Sequence, residues 1–287
     1  MNSVKKYIIL MRPKQWVKNF FIFAAILFSH NIFVIDFIVK TVQTFLLFCF
    51  ISSSVYIIND IVDLESDKKH PRKKFRPIAS GIIKRSEALI FLILILIITF
   101  IWSFQLNIKL GIIITLYLIN NLLYSIKLKN IVIVDVMLIA FGFVLRVYAG
   151  TVVINVDISP WLILCTLLLS LFLGFSKRRN ELVTLKEDAL LHRASLEKYS
   201  IEFIDSILIS IIASTIVSYS IYTFLVNENR YMMITIPIVL YSIFRFQYLS
   251  STKSKGYSPD EILLSDLPLV SSIFLWAIAC IIILYIL

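Results

Sequence analysis

Charged residues are scarce: Asp, Glu, Lys and Arg make up 16% of the 287-residue chain, where a soluble globular domain carries about 25%. A water-facing surface cannot be built from so few, which excludes a soluble fold. Glycine and proline are also sparse, at 6 and 7 residues, and this removes the compositions typical of disordered chains. The three cysteines, Cys49, Cys165 and Cys280, each sit alone in an apolar run. No pairing or ligand spacing joins them, so they read as small buried hydrophobes and imply neither a disulfide framework nor a zinc site. Acids are the rarer sign, 18 against 28 bases, which leaves a formal charge of +10. In a soluble protein that balance would suggest nucleic acid. In this chain it reads as membrane topology and affinity for anionic substrates, with no nucleic-acid partner.

What is abundant is apolar, at 59% of the residues. Nine segments are candidates to cross a bilayer, which takes roughly 20 mainly apolar residues. They are 16–33, 41–58, 88–106, 110–126, 131–154, 161–175, 207–226, 231–249 and 267–287. The expected fold is an all-α integral-membrane bundle of nine helices, one catalytic domain over 1–287. With the N-terminus placed in the cytoplasm, 24 of the 28 Lys and Arg residues fall inside and 3 outside, and Arg146 lies within a span. The positive-inside rule asks for such an asymmetry. The expectation is therefore a multi-pass protein of the inner (plasma) membrane with its C-terminus outside and long cytoplasmic loops at about 59–87 and 176–203.

The second span ends in Asn59-Asp60-Ile61-Val62-Asp63-Leu64-Glu65-Ser66-Asp67. On a continuous helix Asp60, Asp63 and Asp67 share one face, with Asn59 beside it. Three like charges there repel unless a cation neutralises them. Carboxylates and an amide are hard oxygen ligands suited to Mg²⁺, with Mn²⁺ as an alternative ion. Mg²⁺ normally takes one or two carboxylates plus substrate phosphates, so Asn59, Asp60, Asp63 and Asp67 are the candidate metal-binding and catalytic residues for a magnesium diphosphate. The plainer reading is a solvated helix end whose acids offset the basic loop that follows. Glu65 points elsewhere and is solvated. The loop, Lys68 to Gly81, contains Lys73 and Arg76-Pro77, where proline fixes the backbone beside a bidentate phosphate binder. His70, next to Pro71, reads as a loop residue.

Asn59-Asp60-x-x-Asp63-x-x-x-Asp67 with Arg76-Pro77 resembles the UbiA-type superfamily of intramembrane prenyltransferases. The resemblance implies a nine-helix bundle with a central cavity open to the cytoplasmic side, where a magnesium diphosphate binds. One branch is matched further. Met11-Arg12-Pro13-Lys14-Gln15-Trp16-Val17-Lys18-Asn19 is similar to the start of decaprenyl-phosphate phosphoribosyltransferases, and so is His70-Pro71 followed by Arg76-Pro77-Ile78-Ala79-Ser80-Gly81. Tyr124-Ser125-x-x-Leu128-Lys129, Asp135-Val136, Gly142-Phe143-x-x-Arg146-x-x-x-Gly150 and Lys177-Arg178-Arg179-x-Glu181-Leu182 fit the same branch. The similarity runs from about residue 11 to 199. It implies Mg²⁺-dependent transfer of 5-phosphoribose from phosphoribosyl pyrophosphate (PRPP) to a polyprenyl phosphate, in making cell-envelope polysaccharide precursors.

Charge separates this branch from prenyl transfer. A prenyl diphosphate with a phenolic acceptor needs one polyanion site, whereas PRPP and a lipid phosphate each add a phosphate. The candidate contacts for these groups are Lys14, Lys18, Lys73, Arg76, Tyr124, Lys127, Lys129, Asp135, Arg146, Lys177, Arg178 and Glu181. Asp135 and Arg146 stand 11 residues apart, three turns of one helix and the same face. They read as a polar stripe with Gly142 between them: Asp135 as a magnesium or ribose contact, Arg146 as its support or a phosphate ligand, or the two as a structural relay through Tyr or Asn partners. A clean second aspartate-rich motif is missing, since the acids within 177–198 are Glu181, Glu187, Asp188 and the isolated Glu197. Two alternatives stay open: a UbiA-type prenyltransferase acting on an aromatic or other small acceptor, and an anion transporter. The transporter reading expects helices broken at midplane, but Pro160 and Pro237 both lie near span ends.

Overall fold

The structure is a computed structural model, and it describes residues 3–29, 31–70, 73–157, 159–185, 196–226, 230–252, 262 and 265–286. Pro71, Arg72, Glu187 and Asp188, and several of the basic loop residues counted above, lie outside the described residues. Every regular element among the described residues is helical. Eight helices are long and apolar enough to cross a membrane by length and composition. They are α3 (Ile35–Val62), α5 (Arg85–Leu106), α6 (Ile108–Ile126), α7 (Val134–Val153), α8 (Pro160–Leu185), α9 (Ile201–Val226), α10 (Ile236–Thr252) together with the 3₁₀ turn Tyr231–Thr235 before it, and α11 (Leu267–Tyr285). These correspond to the second to ninth expected segments. Pro160 opens α8 and Pro237 is the second residue of α10, so neither breaks a helix midway.

The first expected segment is built differently. Helix α1 (Ser3–Met11) stops at Arg12, whose φ of 53° is left-handed. A 3₁₀ helix follows from Pro13 to Ile22, and then the short α2 (Phe23–Phe28). The break sits at Arg12-Pro13 because the proline ring disfavours α geometry in the residue before it while favouring its own place at a helix start. A 3₁₀ run of 10 residues far exceeds the usual three or four.

The chain packs as two compact units. The first comprises Met1–Ile126 and Leu145–Asp157. Its main core joins Ile22, Leu47, Phe48, Ile51, Leu110 and Ile114. Gly150 belongs here for a steric reason: a Cβ at that position would collide with the Ile22 carbonyl. A second cluster, with Leu10, Ile57, Ile78, Ile83 and Ala88, pins the loop after α4 (Leu64–Lys69) onto α3 and α5. The other unit comprises Lys127–Val144 and Ile158–Leu287, with a core around Val136, Phe172, Ile204, Phe246 and Leu269. In α5, Ile90, Ile93, Leu94, Ile97, Ile98 and Ile101 are all exposed. A continuous apolar stripe of this kind is stable only against lipid, and the protein is an integral membrane protein.

Candidate active site

Helix α3 is 28 residues long, about 42 Å at 1.5 Å per residue, whereas the hydrocarbon core measures about 30 Å. Its last turn carries Asp60, 2% exposed. The helix ends at Val62, and Asp63 is a non-helical link to α4. The Asp63 carbonyl accepts the Asp67 amide and the Ser66 hydroxyl. The continuous helix expected through Asp67 is interrupted at Asp63, which is half-buried. Asp67, from α4, is as buried as Asp60. Asn59 is half-buried, and its carbonyl accepts the Asp63 amide.

The cations beside this pair are arginines. Arg76 Nη1 donates to Asp60 Oδ1 at 3.0 Å and also to Asp67 Oδ2. Arg12 Nη2 donates to Asp60 Oδ1, and its guanidinium stacks over Tyr56, 4.9 Å from the ring centroid. Lys73 lies 4.0 Å from Asp67. Arg76 is placed by its loop: Ser80 N donates to its carbonyl at 2.8 Å, Gly81 turns the chain at φ 77°, and Ile78 and Ile83 anchor the turn in the apolar cluster beneath. Glu65 is exposed and pairs with Lys68 at 2.8 Å, which draws its carboxyl below the usual range.

Among the described residues, no group of three or more His, Cys, Asp or Glu side chains is placed to hold a metal ion. The site is therefore no prebuilt metal cage. It does hold one unsatisfied acceptor, since Asp60 Oδ2 is buried without any hydrogen-bond partner. A buried carboxylate oxygen left alone is costly, and it is the hard oxygen that Mg²⁺ takes. Mg²⁺ commonly uses one or two carboxylates and fills its shell with water and phosphate oxygens. The Asp60–Asp67 pair fits a magnesium ion that arrives with a phosphate-bearing ligand.

Deeper in the same unit, Arg146 is 6% exposed. Its Nε donates to Asn19 Oδ1 and its Nη2 to the Tyr117 hydroxyl, both at 2.8 Å, and its charge lies over the Phe48 and Tyr117 rings. These contacts join the 3₁₀ helix, α6 and α7. Asn121 caps back onto the Tyr117 carbonyl at 2.8 Å, Asn120 is buried and Tyr124 is half-buried. Lys14 is exposed, and Lys18 donates to Gln15 Oε1 at 2.9 Å.

In the second unit Asp135 is fully buried, but it does not pair with Arg146. Three turns separate them along α7, so each finds partners at its own level. Asp135 accepts from Arg178 Nε at 2.7 Å and from the Tyr199 hydroxyl at 2.8 Å. Arg178, 1% exposed, also pairs with Glu181. Burial raises the Tyr199 hydroxyl well above its ordinary pKa, so it stays protonated and serves as the donor. Asp135, Arg178 and Glu181 thus complete one another. Lys177 and Lys127 are exposed and Lys129 is half-buried. Sequence reasoning missed Arg12, Gln15, Tyr56, Tyr117 and Tyr199 as functional partners. Arg12-Pro13 carried a usable signal, a bidentate cation beside a helix-breaking proline, whereas nothing local marks Tyr199.

The profile of the UbiA prenyltransferase family matches residues 19–260. The decaprenyl-phosphate phosphoribosyltransferase of Corynebacterium glutamicum is 30% identical over 96% of this chain and 86% of its own length. The Mycolicibacterium smegmatis protein of that name is 31% identical over 78% of this chain and 71% of its own. Among solved structures, a UbiA homologue from Archaeoglobus fulgidus bound to DMAPP and Mg²⁺ superimposes with a TM-score of 0.71 at 19% identity, covering 98% of this chain and 100% of that one. At that identity the likeness concerns the fold.

Proposed function

The chain belongs to the UbiA prenyltransferase family, and from that premise we propose that it transfers 5-phosphoribose from PRPP to a polyprenyl phosphate and releases pyrophosphate. The observation that carries the reading is the pair of buried carboxylates faced by two guanidiniums, with Asp60 Oδ2 left without a partner. The names of the relatives that match along most of the chain support PRPP as the donor.

In the reaction the C1–O bond to pyrophosphate breaks, and an oxygen of the lipid phosphate bonds to C1. The acceptor oxygen is already anionic, so the site needs no general base. Arg12 and Arg76 stand where negative charge builds on the leaving group and stabilise it there. Asp60 and Asp67 hold these guanidiniums in position before substrate arrives, and they are the residues that would ligate the ion. Mg²⁺ when bound, or Mn²⁺ in its place, neutralises diphosphate charge. Lys73, partly exposed beside Asp67, adds a third cation at the mouth. The site faces the cytoplasm in this reading, with the N-terminus on the same side, and the product feeds synthesis of cell-envelope polysaccharides.

The experiment gives the purified protein, in lipid nanodiscs with Mg²⁺, either ribose-labelled PRPP with a polyprenyl phosphate or a prenyl diphosphate with a phenolic acceptor. Label from PRPP in the lipid extract is the expected result. Turnover of the prenyl diphosphate without any PRPP-dependent lipid product refutes the proposal.

A further inference from the structure

The 3₁₀ helix from Pro13 to Ile22, which opens the first expected segment, sorts its residues by threes. At three residues per turn, side chains at i and i+3 eclipse one another, and each turn advances about 6 Å. One row is Trp16, Asn19 and Ile22. Trp16 Nε1 donates to Ser53 Oγ at 3.1 Å, Asn19 reaches Ser52 and Cys49, and Ile22 is fully buried. This row is the packed side. The next row is Arg12 at the cap, then Gln15 and Lys18. Gln15 Oε1 accepts from Lys18 Nζ at 2.9 Å and from the Tyr56 hydroxyl at 3.4 Å. Arg12 covers the face of the same Tyr56 ring. An α-helix would swing every third residue by about 60° and scatter this row. The unusually long 3₁₀ run keeps it straight.

The row has a cation at each end and a neutral amide with a phenol hydroxyl between. Its Arg12 end touches Asp60, where the diphosphate is placed above. Its Lys18 end lies two turns further along the segment, about 12 Å measured along the helix axis. We propose that Lys18, with Gln15 and Tyr56, forms a subsite for a second phosphate monoester, distinct from the diphosphate held at Asp60 and Asp67. This rests on the functional reading above, and it makes the row the element that separates a donor with two phosphate groups from a prenyl diphosphate. A phosphate monoester could come from two sources, the 5-phosphate of PRPP or the head of the lipid acceptor. Gln15 and the Tyr56 hydroxyl suit the ribose and its hydroxyl groups lying between two phosphates of one molecule, which favours PRPP.

The test measures binding calorimetrically with the full-length protein in nanodiscs with Mg²⁺. Pyrophosphate, PRPP and a short-chain polyprenyl phosphate are titrated separately. The variants are Lys18→Met, Lys18→Arg, Gln15→Glu and, as a charge control on the exposed face of α1, Lys5→Met. Loss of one charged hydrogen bond corresponds to about tenfold in affinity or more. Lys18→Met and Gln15→Glu should each weaken PRPP by that factor while pyrophosphate holds within about twofold. Lys18→Arg should restore most of the PRPP affinity, and Lys5→Met should change nothing. If polyprenyl phosphate weakens in place of PRPP, the subsite stands with the lipid head as its occupant. If all three ligands bind the row variants as they bind wild type, or if pyrophosphate falls in step with PRPP, the proposal is overturned. A wild type that binds pyrophosphate but not PRPP refutes the functional reading instead, and the lipid phosphate titration then decides the row by itself.

Discussion

Replacing Asp135 by leucine separates a structural role from a substrate contact. The residue is fully buried and satisfies two donors, Arg178 Nε at 2.7 Å and the Tyr199 hydroxyl at 2.8 Å. Leucine leaves Arg178 with its charge in an environment where that side chain is 1% exposed. Removing one partner of a buried ion pair costs about 3–5 kcal/mol, because the other charge is stranded. Glu181 still contacts Arg178, and its side chain is 30% exposed, so the lower end of that range, about 3 kcal/mol, is expected. For a chain of this size the apparent Tm should fall by about 6–12 °C. The assay is thermal unfolding of the purified protein in detergent, with retained secondary structure confirmed at low temperature. The double variant Asp135→Leu/Arg178→Met removes both charges and should recover most of the loss. An Asp135→Leu protein of unchanged Tm that has lost turnover would refute the reasoning and return Asp135 to the role of a substrate or metal contact.

Other outcomes follow from the same geometry. Asp60→Asn should cut turnover by at least about 100-fold, the scale of losing a positioned electrostatic group, with Tm held close to wild type, as checked by initial rates and unfolding on one preparation. Arg12→Lys keeps the charge but loses the planar contact with Tyr56 and the short reach to Asp60, so turnover should fall by about tenfold; unchanged rates would contradict its place in the site. Gly150→Ala drives a methyl group into the Ile22 carbonyl and should destabilise by about 1–3 kcal/mol, read as a lower Tm with the KM for PRPP retained. Glu65→Gln removes only the exposed pair with Lys68 and should leave both Tm and rate unchanged, which the same two assays report.

Much of the fold is visible in the residues themselves, because a bilayer imposes long apolar runs and the positions of these runs survive in the helices. The first segment departs from a single α-helix for a local reason: Arg12-Pro13 ends α1 and starts a 3₁₀ helix that runs into α2. At the site, residues 59, 60, 63 and 67 surround the junction of α3 and α4, and what the local sequence does not announce is that Arg76 joins Asp60 to Asp67. The neutralising cations were sought in a metal, whereas Arg12 lies 48 residues and Arg76 16 residues from Asp60 in sequence, a pairing no local spacing announces. The Asp135–Arg146 stripe was read from helix periodicity alone. Periodicity could not name the partners: Asp135 takes an arginine 43 residues away, and Arg146 takes Asn19 and Tyr117.

The most direct measurement is a cryo-EM map of the protein with PRPP and Mg²⁺ in the absence of acceptor. The account predicts the ion within about 2.0–2.1 Å of Asp60 Oδ2, with the diphosphate between Arg12 and Arg76. A diphosphate seated elsewhere, with Asp60 still paired only to arginine, would contradict it.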